Sequence, residues 1–363
     1  MTDDLGRFRD ELARLTSIDG VSGHEQAVVA YLREQMTPLA DEVSVDPMGN
    51  LYARRNGGNG PHLMVEAHSD EIGGLVSAIT AEGFLRFQAV GGVNEIVLTA
   101  RRVRVAGHPG IIGIRPGHLL TAADARTVPG IEDLYIDLGL ESAEEVRALG
   151  IRPGDQVVWE SELQPTSNPN RINGKGIDNR SSCLILLEMM RSLQGQELPG
   201  TLTAVVAVQE EVGLKGARVA AEKLRPEAAL VIDTVPCPDT PDIQVNTFPV
   251  TLGRGPVFQV SSGSHASGYI MPETIRDYLI QVADAAGIPY QLGTLAYTDT
   301  DASAIRDVGI STAVATIPRR YSHSPVEMLD LNDALATLRL AQEVVRTMGE
   351  FPRGIVPSRI PAG

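Results

Sequence analysis

An α/β fold with a β-rich segment inserted in its first half is what this sequence predicts, on two observations. Residues 202–208 and 228–232 are continuously apolar and β-branched, as central strands covered on both faces are, and helical patterns flank them. Between residues 72 and 163 the character changes. Short β-type runs alternate there with Gly/Pro turns, and only residues 143–149 have helical spacing. A chain of 363 residues has room for two domains of roughly 100–200 residues each. The division expected is one larger domain from residues 1–71 and 164–363, with a small β-rich domain, residues 72–163, set into it.

The elements follow in order. Phe8, Leu12 and Leu15 stand at helical spacing, which predicts a helix over residues 7–15. Ser22 and Glu25 have the spacing of a capping box and predict a second helix from there. Its apolar stripe is Ala27, Val28, Tyr31, Leu32 and Met36, and Pro38 stops it. Residues 42–54 alternate and contain Pro47 and Gly49-Asn50, a hairpin pattern; residues 62–66 form a short strand. In the inserted segment, strands are expected at 84–90, 103–105, 111–114 and 156–159. Beyond Pro165 the pattern predicts helices at 180–193, 212–224, 272–286 and 332–348, with Asn332 as the N-cap of the last, and a strand at 311–317. The tail from Pro352 is rich in Pro and Gly and is expected to be a loose or docked end.

Composition narrows the partners. A net charge of −15 argues against nucleic acid and anionic membranes, both of which select basic surface. No apolar run approaches the roughly 18 residues of a membrane-spanning helix, and the acidic first nine residues lack a signal-peptide pattern. Cys183 and Cys237 have no C-x-x-C spacing and are expected as buried free thiols, which fits a reducing cytoplasm.

Five places carry candidate chemistry, at strand ends or in loops that follow apolar strands, with Asp178 at the start of a helix. His68-Ser69-Asp70 offers an imidazole and a carboxylate that could fix its tautomer, or is an ordinary turn. Asp178 could bridge cations or simply cap a helix. Glu210-Glu211 follows a buried strand, where paired like charges call for compensation. One could bind a metal while the other serves as general base, unless the loop is solvated. Asp233 repeats that position, or forms a turn. His323 is a ligand or a structural histidine. Together they suit two divalent ions sharing a carboxylate, a device that activates water and polarises a carbonyl. There is no G-x-S-x-G elbow, no Walker A sequence and no H-E-x-x-H.

Ala67-His68-Ser69-Asp70-Glu71-Ile72-Gly73, residues 174–180, Gln209-Glu210-Glu211-Val212-Gly213, Thr300-Asp301-Ala302 and residues 317–325 occur in an order and separation that resemble the M42 family of metallo-aminopeptidases, the glutamyl and tetrahedral aminopeptidase group. The likeness covers nearly the whole chain. It implies a mixed-sheet α/β metallopeptidase catalytic domain whose inserted β-rich domain mediates dimerisation. It implies two divalent ions, zinc or cobalt: one held by His68 and Asp233, the other by Glu211 and His323, with Asp178 bridging. Glu210 would be the general base that takes the proton of the attacking water and passes it to the leaving amine, and Asp70 would orient His68. Peptides are the implied substrates, cleaved from the N-terminus inside a homo-oligomer, a dodecamer built from dimers. Asp299 stands where many relatives have Gly, and Pro236 and Pro238 shape the loop after Asp233. Arg254, Ser262 and His265 lie in a segment expected to line the substrate pocket. The alternatives are a two-metal deacylase or carboxypeptidase, a glycoside hydrolase, which would leave the histidines without a role, and a non-enzymatic assembly protein.

Overall fold

The computed structural model describes residues 2–121, 126–243, 248–263, 268–295 and 298–353. The chain opens with α1 (Thr2–Ser17) and α2 (Gln26–Met36), followed by the hairpin β1 (Glu42–Val45) and β2 (Leu51–Arg55), then β3 (His62–His68). The next strands are β4 (Gly73–Ile79), β5 (Leu85–Val90), β6 (Arg102–Val105), β7 (His108–Ile112), β8 (Ile136–Asp137) and β9 (Gln156–Trp159). Helix α3 (Ala143–Ala148) precedes the last of these. These six strands close a small barrel in the order β4-β5-β8-β7-β6-β9. Its own core holds Val76, Leu85, Val103, Ile112, Val157 and Trp159.

The chain then returns through β10 (Gln164–Pro165), β11 (Arg171–Gly174), α4 (Ile177–Ser192), β12 (Thr201–Ala207), α5 (Lys215–Leu224) and β13 (Ala228–Pro236). It ends with β14 (Val257–Ser261), α6 (Glu273–Ala285), β15 (Gln291–Thr294), α7 (Asp301–Asp307), β16 (Ser311–Arg320), β17 (Glu327–Asp330) and α8 (Leu331–Arg346). Eleven strands make one mixed sheet. Its main path is β1-β2-β12-β3-β13-β16-β17-β11-β10, and β14 and β15 branch from β16. The centre, β12-β3-β13-β16, is parallel. These strands are buried along almost their whole length, because α4 packs on them with α1 and α8 while α5 and α7 supply a further layer. Together the mixed sheet, its helices and the separate barrel are the mixed α/β fold with a β-rich insertion that the sequence predicts.

Several expected details differ, each for a local reason. No capping box forms at α2. Ser22 Oγ donates to Asp70 Oδ2 at 2.6 Å, and the Glu25 carboxylate accepts from the N–H groups of Gly23 and Gln209. The last helix is capped by Asp330, whose carboxylate accepts from the Asn332 N–H at 3.0 Å, not by Asn332. Strand β13 runs four residues past the expected end, so Asp233 lies within it. Strand β4 and helix α7 had no expectation. Cys183 and Cys237 are buried free thiols, as expected.

Candidate metal centre

Parallel pairing brings the candidate residues to one end of the sheet, where ligands bind in open α/β folds. His68 ends β3 opposite Ala207 of β12, and β13 on the other side carries Asp233. Glu210 and Glu211 form the loop between β12 and α5. Asp178 sits in a non-helical kink at the start of α4 (φ −78°, ψ 109°), so its side chain turns away from the helix instead of capping it. His323 lies in the loop between β16 and β17, with φ 54°.

The side chains converge on Asp178. His68 Nε2 is 3.4 Å from Asp178 Oδ1 and 3.6 Å from Asp233 Oδ1. His323 Nε2 is 3.4 Å from Asp178 Oδ2 and 3.6 Å from Glu211 Oε2. His68, Asp178 and Asp233 thus offer one set of ligand atoms within 4.8 Å of one another, and Asp178, Glu211 and His323 offer a second. Glu210 Oε2 lies beside the first set, 4.0 Å from His68 Nε2.

Neighbouring groups aim these donors. His323 Nδ1 lies 3.0 Å from the Gly92 carbonyl, which can only accept, so Nδ1 carries the proton and Nε2 presents a lone pair. Gly92 belongs to the segment after β5, and a Cβ there would come within 2.7 Å of that nitrogen. Asp70 faces His68 Nδ1 at 3.4 Å, short of a hydrogen bond in alignment. Its carboxylate also accepts from the N–H groups of Glu210 and Glu211, at 3.0 and 3.2 Å, and so fixes the glutamate loop as well.

Two residues without an assigned role in the sequence complete the frame. Arg319, in β16, donates to Asp178 Oδ2, Glu327 Oε1 and Thr234 Oγ1. The Glu327 carboxylate accepts the N–H of Asp178 at 3.0 Å and that of His323 at 3.1 Å. One carboxylate therefore ties together two segments 145 residues apart in sequence (323 − 178). Neither Arg319 nor Glu327 stood out in the sequence, because several charged residues flank the end of β16 and nothing in the pattern says which of them turn inward.

The electrostatics suit a cation. Burial works against a charged His68, yet Glu210, Asp178, Asp233 and Asp70 hold its pKa well above the ordinary value. Burial opposes a charged His323 too, and Asp178 and Glu211 still raise it to about 9. Burial pushes Glu211 up to about 8 against the pull of His323, and raises Glu210 well above its usual value. Asp178 Oδ1 is buried with no hydrogen-bond partner. Carboxylates that raise the proton affinity of neighbouring imidazoles, with a buried oxygen left over, make a nitrogen–oxygen donor set that attracts positive charge. The residues fit divalent ions. Deeper still, the buried carboxyls of Glu66 and Asp301 face one another, and burial raises Glu66 to about 8.

A cavity of about 750 Å³ opens over these groups. Its walls include Gly92, Asn94, Ile96 and Val97 from the barrel side, and Thr234, Gln259, Thr298 and Asp299 from the sheet side. Of the residues expected to line a substrate pocket, Ser262 donates to Asp299 and Arg254 is exposed away from the cavity. His265 lies outside the described residues.

A mixed α/β sheet whose strand ends gather histidines and carboxylates beside a cavity is an arrangement suited to hydrolysis, and likeness to known proteins makes the chain a hydrolase of peptide bonds. The chain belongs to the M42 glutamyl aminopeptidase family, whose model matches residues 49–340. It is 31% identical to the glutamyl aminopeptidase of Lactococcus lactis subsp. cremoris, over 93% of this chain and 96% of that protein. An aminopeptidase from the archaeon Desulfurococcus kamchatkensis superposes with a TM-score of 0.90 at 35% identity, over 94% and 95% of the two chains. The TET1 peptidase of Pyrococcus horikoshii, which can assemble into a tetrahedron or a large octahedral shell, gives a TM-score of 0.84 at 34% identity, over 93% and 99%. No helix among the described residues is long and apolar enough to cross a membrane.

Proposed function

We propose that this aminopeptidase removes N-terminal residues from peptides with two divalent ions, zinc or cobalt. His68 and Asp233 would hold one, Glu211 and His323 the other, and Asp178 both. The observation that carries this is the pair of three-residue donor sets sharing Asp178, with Glu210 free beside them. Such ions polarise the scissile carbonyl and acidify the attacking water. The chain's own groups do the rest. Glu210 accepts the proton of the attacking water at its carboxylate and delivers it to the nitrogen of the leaving peptide. Its raised proton affinity, a consequence of burial, suits that exchange. Asp70 holds the Glu210 and Glu211 backbone and orients His68.

Residues 1–71 and 164–363 would form the catalytic domain, and residues 72–163 an inserted domain for subunit contact. The exposed apolar side chains of Ile111, Ile114 and Leu119 support that role. The assembly would be a homo-oligomer built from dimers, in the cytoplasm, acting on peptides and not on nucleic acid or membranes. A panel of short peptides with free N-termini, assayed with chelator and then with zinc or cobalt restored, tests the reading. Glu210→Gln should lower kcat by about 10²- to 10⁴-fold with metal content unchanged. Full activity in that variant removes Glu210 from the mechanism, and metal-independent cleavage removes the ions.

A further inference from the structure

Asp299 is held in a way that the proposed reaction does not use. It lines the same cavity as the two donor sets, from the segment after β15, and Gln259 from β14 and Thr234 and Pro236 from β13 line that cavity too. Its carboxylate is fixed through one oxygen only. Oδ1 accepts from Ser262 Oγ at 3.2 Å, from the Thr300 N–H at 2.9 Å and from Ser303 Oγ. All three donors are neutral. Among the described residues Oδ2 receives no hydrogen bond, and no cationic side chain pairs with this carboxylate. Arg319 also lines the cavity, but its guanidinium is taken by Asp178, Glu327 and Thr234.

Packing fixes the carboxylate further. A Cβ on Gly268 would lie 2.7 Å from Asp299 Oδ1 and 3.1 Å from Oδ2, so the absence of a side chain there lets the carboxylate sit flat against the backbone. An anchored anion on the wall of a substrate cavity, with no hydrogen bond to one of its oxygens among the described residues, is a preorganised acceptor for a cation.

We propose that Asp299 selects a positively charged side chain on the residue being released, so that the preferred substrates are peptides beginning with lysine or arginine. This rests on the aminopeptidase reading above. The charge would form its ion pair at the cavity wall, where Asp299 is exposed to solvent and a carboxylate already fixed loses little freedom on binding.

The comparison that isolates charge is lysine against norleucine, which matches its chain length without the ammonium. With peptides differing only in that first residue, the wild-type ratio of kcat/KM should favour lysine by about two- to fivefold, the scale of one exposed ion pair. In Asp299→Asn the ratio should fall to near one. The Asn oxygen can still accept from Ser262, Thr300 and Ser303, so the loop keeps its anchors. Gly268→Ala keeps the charge but displaces the carboxylate, and should lower the ratio as well. A ratio that stays at its wild-type value in Asp299→Asn overturns the proposal, including the case in which both substrates fall together because Asp299 serves the α-ammonium common to them. Calorimetric binding of lysine amide and norleucine amide to the metal-loaded protein gives the same ratio without turnover. A wild-type protein that cleaves neither peptide but prefers lysine amide sinks the aminopeptidase reading and leaves the selection standing. Cleavage of both peptides at equal rates sinks the selection alone.

Discussion

At the scale of single residues, Arg319 shows how a buried charge can be necessary without touching substrate. It is flanked by Asp178 and Glu327, all three being buried. Removing one partner of such a network leaves the others uncompensated, at a cost of about 3–5 kcal/mol. Arg319→Met should therefore lower the thermal midpoint markedly in chelator. Bound divalent ions should recover part of the loss, because a ligand that binds only the folded state stabilises it. Differential scanning calorimetry with and without zinc checks both statements; an equal loss in the two conditions would separate Arg319 from the metal centre. Glu211 was visible in the sequence because it stands just past an apolar run, and Asp178 because it opens a helical pattern after a Gly-rich turn. Arg319 and Glu327 were not, because nothing in a linear pattern says which of several charged residues near a strand end will turn inward.

At the scale of elements, the β1–β2 turn is more than a connector. Asp46 Oδ1 accepts from the N–H groups of Met48, Gly49 and Asn50, and Oδ2 accepts from Asn50 Nδ2 and from Tyr52 Oη at 2.6 Å. Asn50 in turn receives the Val208 N–H and donates to the Gly216 carbonyl, fastening the turn to the loop that carries Glu210. Burial works against the Asp46 charge, but these hydrogen bonds outweigh it and hold the pKa below the ordinary carboxylate value. A depressed folded-state pKa contributes stability above the unfolded value, near 4, and loses it as pH falls through the folded one. Asp46→Ala should cost about 2–3 kcal/mol at neutral pH. The gap from wild type should narrow below about pH 4 in urea titrations, and a constant gap would exclude the carboxylate charge as its source.

The hairpin around Asp46 was legible from its alternation and its Pro and Gly-Asn positions. So were β12 and β13, from unbroken apolar runs. Strand β4 was not, because Gly73 and Gly74 at its start erase the pattern. The α2 capping box failed for a different reason: distant partners, Asp70 and the Gln209 N–H, compete for the same side chains. Local rules lose wherever a tertiary hydrogen bond is available, and around a functional site several are.

At the scale of the whole molecule, the barrel matters through its two sides. One contributes Gly92, Asn94, Ile96 and Val97 to the cavity wall. Elsewhere Ile111 and Ile114 are about half exposed, at 51% and 54%. Apolar groups left in that state on a small unit commonly mark a contact surface. The double substitution Ile111→Asp and Ile114→Asp should shift the protein to a smaller species in sedimentation velocity. An unchanged assembly would move the interface elsewhere. The carbonyl of Gly92 has a further consequence. It holds the His323 ring, so the aim of that ring depends on where the barrel sits. Thermodynamic linkage is reciprocal. With His323 holding an ion as proposed, a neighbour that gripped the barrel would alter that hold by the same factor that ion loading alters the neighbour's, and assembly and metal uptake would become two faces of one equilibrium.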